Sequence, residues 1–124
     1  MSQKILVIDD DRGVRAICGF ILAKEGYDVQ YASDGAEALA KICKETFDLI
    51  LLDIILPFVD GRHIAKLIRS KGVTTPIVLI SSLPEEVVEE SRGMCGANGY
   101  ILKPYKKATL ISEVKKALSG IEKD

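Results

Sequence analysis

Residues 4–11 read Lys4-Ile5-Leu6-Val7-Ile8-Asp9-Asp10-Asp11, four consecutive apolar side chains that stop at three carboxylates. A short run that is apolar at every position suits a strand covered on both faces, since a half-exposed strand would alternate. Two further runs have the same character: Leu49–Leu52, followed by Asp53, and Ile77–Ile80, followed by Ser81 and Ser82. Val29–Ala32 and Tyr100–Leu102 are shorter and supply two more strands, at least one of them nearer an edge; Lys103 and Pro104 follow the last.

Helical spacing fills the intervals. Val14, Ile17, Cys18, Ile21 and Leu22 form a stripe, with Asp11 as its N-cap and Gly26 as its stop. Ala36, Leu39, Ala40 and Cys43 repeat the pattern after Ser33-Asp34-Gly35, and Ile64, Leu67 and Ile68 repeat it before Gly72. Pro84, Glu85 and Glu86 suit a first helical turn, and Leu110, Val114, Ala117 and Leu118 mark the last helix. Strand–helix alternation with short connections implies parallel strands and right-handed crossovers. The expectation is one α/β domain over residues 1–124, a doubly wound five-stranded parallel sheet with five helices.

The 124 residues suffice for a core without staples, and the formal net charge of −1 gives no general attraction to nucleic acid or anionic membrane. Cys18, Cys43 and Cys95 are odd in number and widely spaced, which reads as buried thiols in a reducing compartment. No stretch approaches the ~20 apolar residues of a membrane span, and MSQKILVIDD lacks a signal-peptide core. A cytoplasmic protein is expected.

Doubly wound sheets bind ligands at the carboxyl ends of their strands. Here those ends carry Asp9, Asp10 and Asp11, then Asp53, then Ser81 and Ser82, then Lys103. Two unit charges about 4 Å apart repel by roughly 4 kcal/mol at an effective dielectric of 20, so clustered acids require a cation, a proton or a lysine. A hard divalent ion such as Mg²⁺ fits an oxygen-only set, and with Lys103 it would orient a phosphoryl group. Asp53 could then act as nucleophile and Ser81 could donate to a phosphoryl oxygen. Single aspartates after strands often only cap the next helix, as Asp11 does in this reading; four strand ends with complementary chemistry are not explained by capping.

The motifs KILVIDDD, LLDIILPFVDG, VLISS and GANGYILKP, with intervals of 43 residues from Asp10 to Asp53, 28 from Asp53 to Ser81 and 50 from Asp53 to Lys103, resemble the receiver domain of two-component response regulators. The resemblance runs from Lys4 to about Leu118 and implies a flavodoxin-like, receiver-type fold. It implies that Asp53 is the phosphorylated aspartate, and that Asp9, Asp10, Asp53 and the carbonyl of Ile55 bind Mg²⁺. It further implies that Lys103 pairs with the phosphoryl group, ahead of a Pro104 that commonly follows a cis peptide bond. Ser81 and Tyr100 would be the switch pair, and Pro57 and Gly61 belong to the loop after the acceptor. Leu56, Phe58 and Ser82 depart from the residues common in the family without touching that set. The positions two past the acceptor and two past Ser81 influence phosphoryl lifetime in the family; here they are Ile55 and Leu83, neither able to hold an attacking water, so slow self-dephosphorylation is expected.

The implied function is phosphorelay signalling rather than enzymatic turnover. A sensor histidine kinase or histidine phosphotransfer protein would be the donor and a downstream protein effector the target, with no direct DNA binding and no membrane. The fourth helix begins acidic with Glu85, Glu86, Glu89 and Glu90, the fifth carries Lys106, Lys107, Lys115 and Lys116, and between them Gly93, Gly96 and Gly99 add backbone freedom. This is a solvated surface, or the switch surface, built from helix four, strand five and helix five, for a partner or for a second copy in a phosphorylation-dependent homodimer. His63, the only histidine, reads as a surface residue. A flavin or nucleotide site is disfavoured because three aspartates stand where a phosphate-cradling loop would be. A degenerate receiver that is never phosphorylated, and a receiver cut from a longer protein instead of a stand-alone regulator, are the remaining alternatives.

Overall fold

The computed structural model describes residues 2–120; residue 1 and residues 121–124 of the expected domain lie outside the described residues. In chain order the elements are β1 (Lys4–Ile8), α1 (Arg12–Lys24), β2 (Asp28–Ala32), α2 (Gly35–Lys44), β3 (Leu49–Asp53), α3 (Gly61–Ser70), β4 (Ile77–Ser81), α4 (Glu85–Cys95), β5 (Gly99–Leu102) and α5 (Lys107–Ser119). The strands form one parallel sheet in the order β2-β1-β3-β4-β5. The chain leaves β1 for β2 on one side and returns to place β3 on the other, so the strand order reverses between β1 and β3.

Period-two alternation sorts the side chains onto two cores. Ile5, Val7, Leu49, Leu51, Val78, Ile80 and Ile101 pack with Cys18, Leu22, Leu110 and Val114 of α1 and α5. Leu6, Ile8, Ile50, Leu52, Ile77 and Leu79 pack with Ala38, Ile64, Ile68 and Val88 of α2, α3 and α4. Each fully buried Leu or Ile contributes roughly 1.5–3 kcal/mol, which is why the central strands are apolar throughout. The two shorter strands are both edges.

Two helix faces differ from the sequence reading. In α2 the buried side is Gly35, Ala38 and Leu39 with Ile42, whereas Ala36, Ala40 and Cys43 are exposed. The alanines have little area to bury, so Leu39 and Ile42 decide the rotation, and Cys43 is not the buried thiol that was expected; Cys18 and Cys95 are. In α1 the inward face is Cys18, Gly19 and Leu22, while Ile17 is 62% exposed. Tyr31 of β2 fixes that rotation, because a Cβ at Gly19 would lie 1.8 Å from its hydroxyl. Gly93 lies inside α4 and Gly99 opens β5, so only Gly96, the left-handed C-cap of α4, uses glycine's freedom among the three expected to loosen this region.

Candidate functional site

Register brings the expected residues to one edge of the sheet. Ile8 pairs with Leu52, so Asp9 and Asp53 are neighbours at the strand-order reversal. Asp53 pairs with Ile80, and Ser81 with Leu102, which places Lys103 one residue beyond. Lys103 Nζ donates to Asp53 Oδ2 at 2.9 Å and to Asp9 Oδ2 at 3.4 Å. Asp9 and Asp53 are buried, and Asp10 is exposed. Carboxylate oxygens of Asp9, Asp10 and Asp53 all lie within 4.8 Å of one another, the one grouping among the described residues able to hold a metal ion.

The backbone around the acids is itself pinned. Asp9 Oδ1 accepts from the Asp11 N–H at 2.9 Å, and Arg15 Nη1 donates to the Asp9 carbonyl at 2.7 Å. Asp11 caps α1 through the N–H groups of Gly13 and Val14, as expected. Asp53 Oδ1 accepts from the Ile55 N–H at 3.0 Å. Gly61 begins α3 directly against Asp53: its N–H donates to the Ile54 carbonyl at 2.7 Å, and a Cβ there would stand 2.1 Å from the Asp53 carbonyl oxygen. Arg15 and the contact of Gly61 carry no motif that sequence spacing reveals; they appear only when α1 and α3 are docked.

Burial holds the Asp9 carboxyl above its usual range, reinforced by the Asp53 charge and opposed by the Asp11 N–H and by Lys103. Burial works against the charge of Lys103, but the hydrogen bond and charge of Asp53 and the charge of Asp9 outweigh it and raise its pKa. The lysine is thereby fixed as a cation where the acids are crowded.

Ser81 is fully buried, and its Oγ accepts from the Leu83 N–H at 2.9 Å. Tyr100 packs its ring on the α4-side core and donates its hydroxyl to Glu85 Oε2 at 2.7 Å, which pushes its pKa up to about 12. The Lys103–Pro104 peptide is cis. His63 is exposed on α3. Exposed apolar side chains include Phe20 at 66%, Ile17, which borders Lys103, and Ile55 and Phe58 in the loop after Asp53, Phe58 being 96% exposed with φ +71°. A hollow of about 410 Å³ beside Lys103 is lined by Val14, Ile17, Ser82, Pro104 and Tyr105.

An open parallel sheet of this order, with an acid cluster and a lysine at its reversal point, defines the CheY-like, flavodoxin-like class of α/β proteins. The family model for the response regulator receiver domain matches residues 5–115, and the chain belongs to that family. It is 37% identical over 122 residues to the alkaline phosphatase synthesis transcriptional regulatory protein PhoP of Bacillus subtilis, covering 98% of this chain and 51% of that relative. The chain therefore spans about half the length of this curated relative. Among solved structures, chemotaxis response regulator CheY4 of Vibrio cholerae superposes with a TM-score of 0.89 at 30% identity, covering 94% of this chain and 99% of that one. A CheY-like receiver domain protein from Methanospirillum hungatei gives 0.91 at 30% identity over 99% and 98%. Receiver domains are signalling domains of two-component systems, and phosphorelay signalling is the role of the family. Among the described residues no helix is long and apolar enough to cross a membrane.

Proposed function

We propose that Asp53 accepts a phosphoryl group from a phosphohistidine on a sensor histidine kinase or a histidine phosphotransfer protein. The observation that carries this reading is the placement of Asp53: a buried carboxylate at the carboxyl end of β3, 2.9 Å from the Lys103 ammonium and beside Asp9. An Asp53 oxygen forms the new O–P bond as the P–N bond of the donor breaks, and the imidazole leaves with the electron pair. Lys103 pairs with a phosphoryl oxygen, replacing part of its contact with Asp53.

Three crowded carboxylates against one ammonium leave an excess of anion that fits a hard divalent cation. Asp9, Asp10 and Asp53, with the Ile55 carbonyl, would hold Mg²⁺. When bound, it supplies neutralisation and orientation of the phosphoryl oxygens. Ser81, released from the Leu83 N–H, donates to the phosphoryl group, and Tyr100 turns toward the space it leaves. The surface of α4, β5 and α5 then changes shape for a protein effector. That surface includes a cavity of about 470 Å³ lined by Glu85, Arg92, Tyr100, Glu113 and Lys116.

Exposed Ile17 beside Lys103, and exposed Ile55 and Phe58 in the loop after Asp53, support docking of a donor protein over Asp53, since such side chains near a reactive acid gain by being covered. The acids in the site and the net charge of −1 favour protein partners over direct contact with DNA. Free thiols at Cys18, Cys43 and Cys95 suit a reducing cytoplasm. Pairing of α4 acids with α5 lysines between two copies competes with pairs inside the chain, Glu89 with Arg92 and Glu113 with Lys116. A phosphorylated protein that sediments as a monomer would remove the homodimer.

The test is incubation with acetyl phosphate and Mg²⁺ followed by intact mass, beside Asp53→Ala and a chelator control. One phosphoryl group on the parent, and none on the mutant or without metal, is expected. Equal addition to the parent and to Asp53→Ala would overturn the assignment of the acceptor.

A further inference from the structure

Ser81 and Tyr100 are held by the same short segment of chain. They lie on the α4 side of the sheet, where Leu79 pairs with Tyr100 and Ser81 with Leu102. Ser81 Oγ is occupied by the N–H of Leu83 at 2.9 Å, and two residues later Glu85, the first residue of α4, accepts the Tyr100 hydroxyl at 2.7 Å. We propose that the Glu85 carboxylate is a latch that holds the Tyr100 hydroxyl at the protein surface, and that it sets how readily the domain takes up a phosphoryl group; this rests on the switch role proposed above for Ser81 and Tyr100.

The chemistry of the contact supports a latch rather than an incidental surface bond. The acceptor is a carboxylate, so the bond is charge-assisted. Among the described residues no basic side chain pairs with Glu85, which leaves its oxygens to the phenol, whereas Glu89, one turn later, is paired with Arg92 and acts on the Tyr100 hydroxyl more weakly than Glu85 does. Any inward rotation of Tyr100 has to break the Glu85 bond. An apolar ring edge does not need that bond for packing, so its free energy enters the switch equilibrium almost undiluted. The position of Glu85 on the first turn of α4 adds a second consequence. A partner that captures the start of α4 would unlatch Tyr100, and by reciprocity would raise the affinity for the phosphoryl group.

The latch is testable with beryllium fluoride and Mg²⁺ as the phosphoryl mimic, on protein carrying 3-fluorotyrosine, the Tyr100 resonance being assigned by its loss in Tyr100→Phe. In the parent, saturation with the mimic should move the Tyr100 resonance. Glu85→Ala should shift the unliganded resonance toward the saturated position and tighten binding about two- to tenfold, the worth of one net hydrogen bond. Glu85→Gln keeps an acceptor and should lie closer to the parent than to Glu85→Ala. Glu86→Ala, which removes a charge from the same turn without touching Tyr100, should behave as the parent. In a Tyr100→Phe background Glu85→Ala should add nothing. Equal tightening by Glu85→Ala, Glu85→Gln and Glu86→Ala would mean general relief of negative charge and would overturn the latch. Unchanged affinity in Glu85→Ala, with a parent resonance that does move, would overturn the latch and leave the switch standing. A parent that binds the mimic with no movement at Tyr100 would overturn both.

Discussion

Gly61→Ala should injure both the fold and the site, and by an amount that the structure sets. A Cβ at this position would stand 2.1 Å from the Asp53 carbonyl oxygen and 2.9 Å from the Ile54 Cα, both backbone atoms. Side-chain Cβ atoms essentially never come within 3.0 Å of another heavy atom, so α3 and the end of β3 must separate by about 0.9 Å. Overpacking of this kind costs about 1–3 kcal/mol. Weakening the 2.7 Å bond from Gly61 N–H to the Ile54 carbonyl adds about 1 kcal/mol. The expected loss is about 2–4 kcal/mol, or a Tm lower by roughly 8–15 °C for a chain of this size. A typical domain stability of 5–15 kcal/mol leaves the variant folded at 25 °C. Its phosphoryl uptake should still fall by about ten- to a hundredfold, because the displaced backbone is that of Asp53, the proposed acceptor. Gly93→Ala is the matched control: inside α4, with nothing within 4 Å, it should gain about 0.5–1 kcal/mol and leave uptake unchanged. Urea melts and acetyl phosphate kinetics on the two variants give the answer. A Gly61→Ala protein that melts with the parent would refute the close approach of α3 to Asp53.

Three other outcomes follow from local geometry. Asp60 caps α3 through the Arg62 N–H at 2.7 Å and pairs with the Arg62 guanidinium, and these contacts hold its carboxyl below the usual range. Its ion-pair contribution is therefore complete above about pH 4 and is lost as pH falls through the lowered pKa; Asp60→Ala should cost about 1 kcal/mol at pH 7, while the smaller deficit of Asp60→Asn should vanish in melts below pH 3. Phe58 spends a left-handed conformation, φ +71°, on a side chain 96% exposed, so Phe58→Asn should gain about 1 kcal/mol in urea melts; it should leave uptake from acetyl phosphate alone and slow uptake from a kinase, and no gain in stability would refute the strain. Ile55 is exposed beside the acceptor and cannot hold a water; Ile55→Asn should shorten the lifetime of the phosphorylated protein severalfold, and a mutant that decays no faster removes the slow-dephosphorylation reading.

The strands were legible because covering a sheet on both faces leaves no alternative composition: Ile5–Ile8, Leu49–Leu52 and Ile77–Ile80 sit inside the strands observed, and the polar residue after each is a site residue. Parallel register then does the assembly, since strands paired level with one another deliver Asp9, Asp53, Ser81 and Lys103 to the same edge. Helix rotation was less legible. In α1 and α2 the apolar residues exceed what one face can bury, and the choice between Ile17 and Cys18, or between Ala40 and Ile42, is made by partners far away in sequence such as Tyr31. A sequence pattern records how much apolar area a helix has; it does not record which neighbour arrives first at a glycine.

The same distinction separates the acceptor from its control. Asp9, Asp53 and Lys103 must be acidic or basic for the chemistry to exist, so their identities announce them. Glu85 needs only to be an acceptor within reach of a phenol fifteen residues away, and in the sequence it is indistinguishable from Glu86. Its meaning comes from α4 beginning at that residue, which in turn follows from Pro84 standing as the N-cap with no side-chain bond of its own. A helix start without a capping side chain is held less firmly than the Asp11, Asp34 and Asp60 caps of α1, α2 and α3. Among the described residues α4 and α5 are the two helices that begin without a side-chain cap, and both belong to the proposed switch surface; in α4 the bond from Tyr100 to Glu85 ties that uncapped first turn to β5.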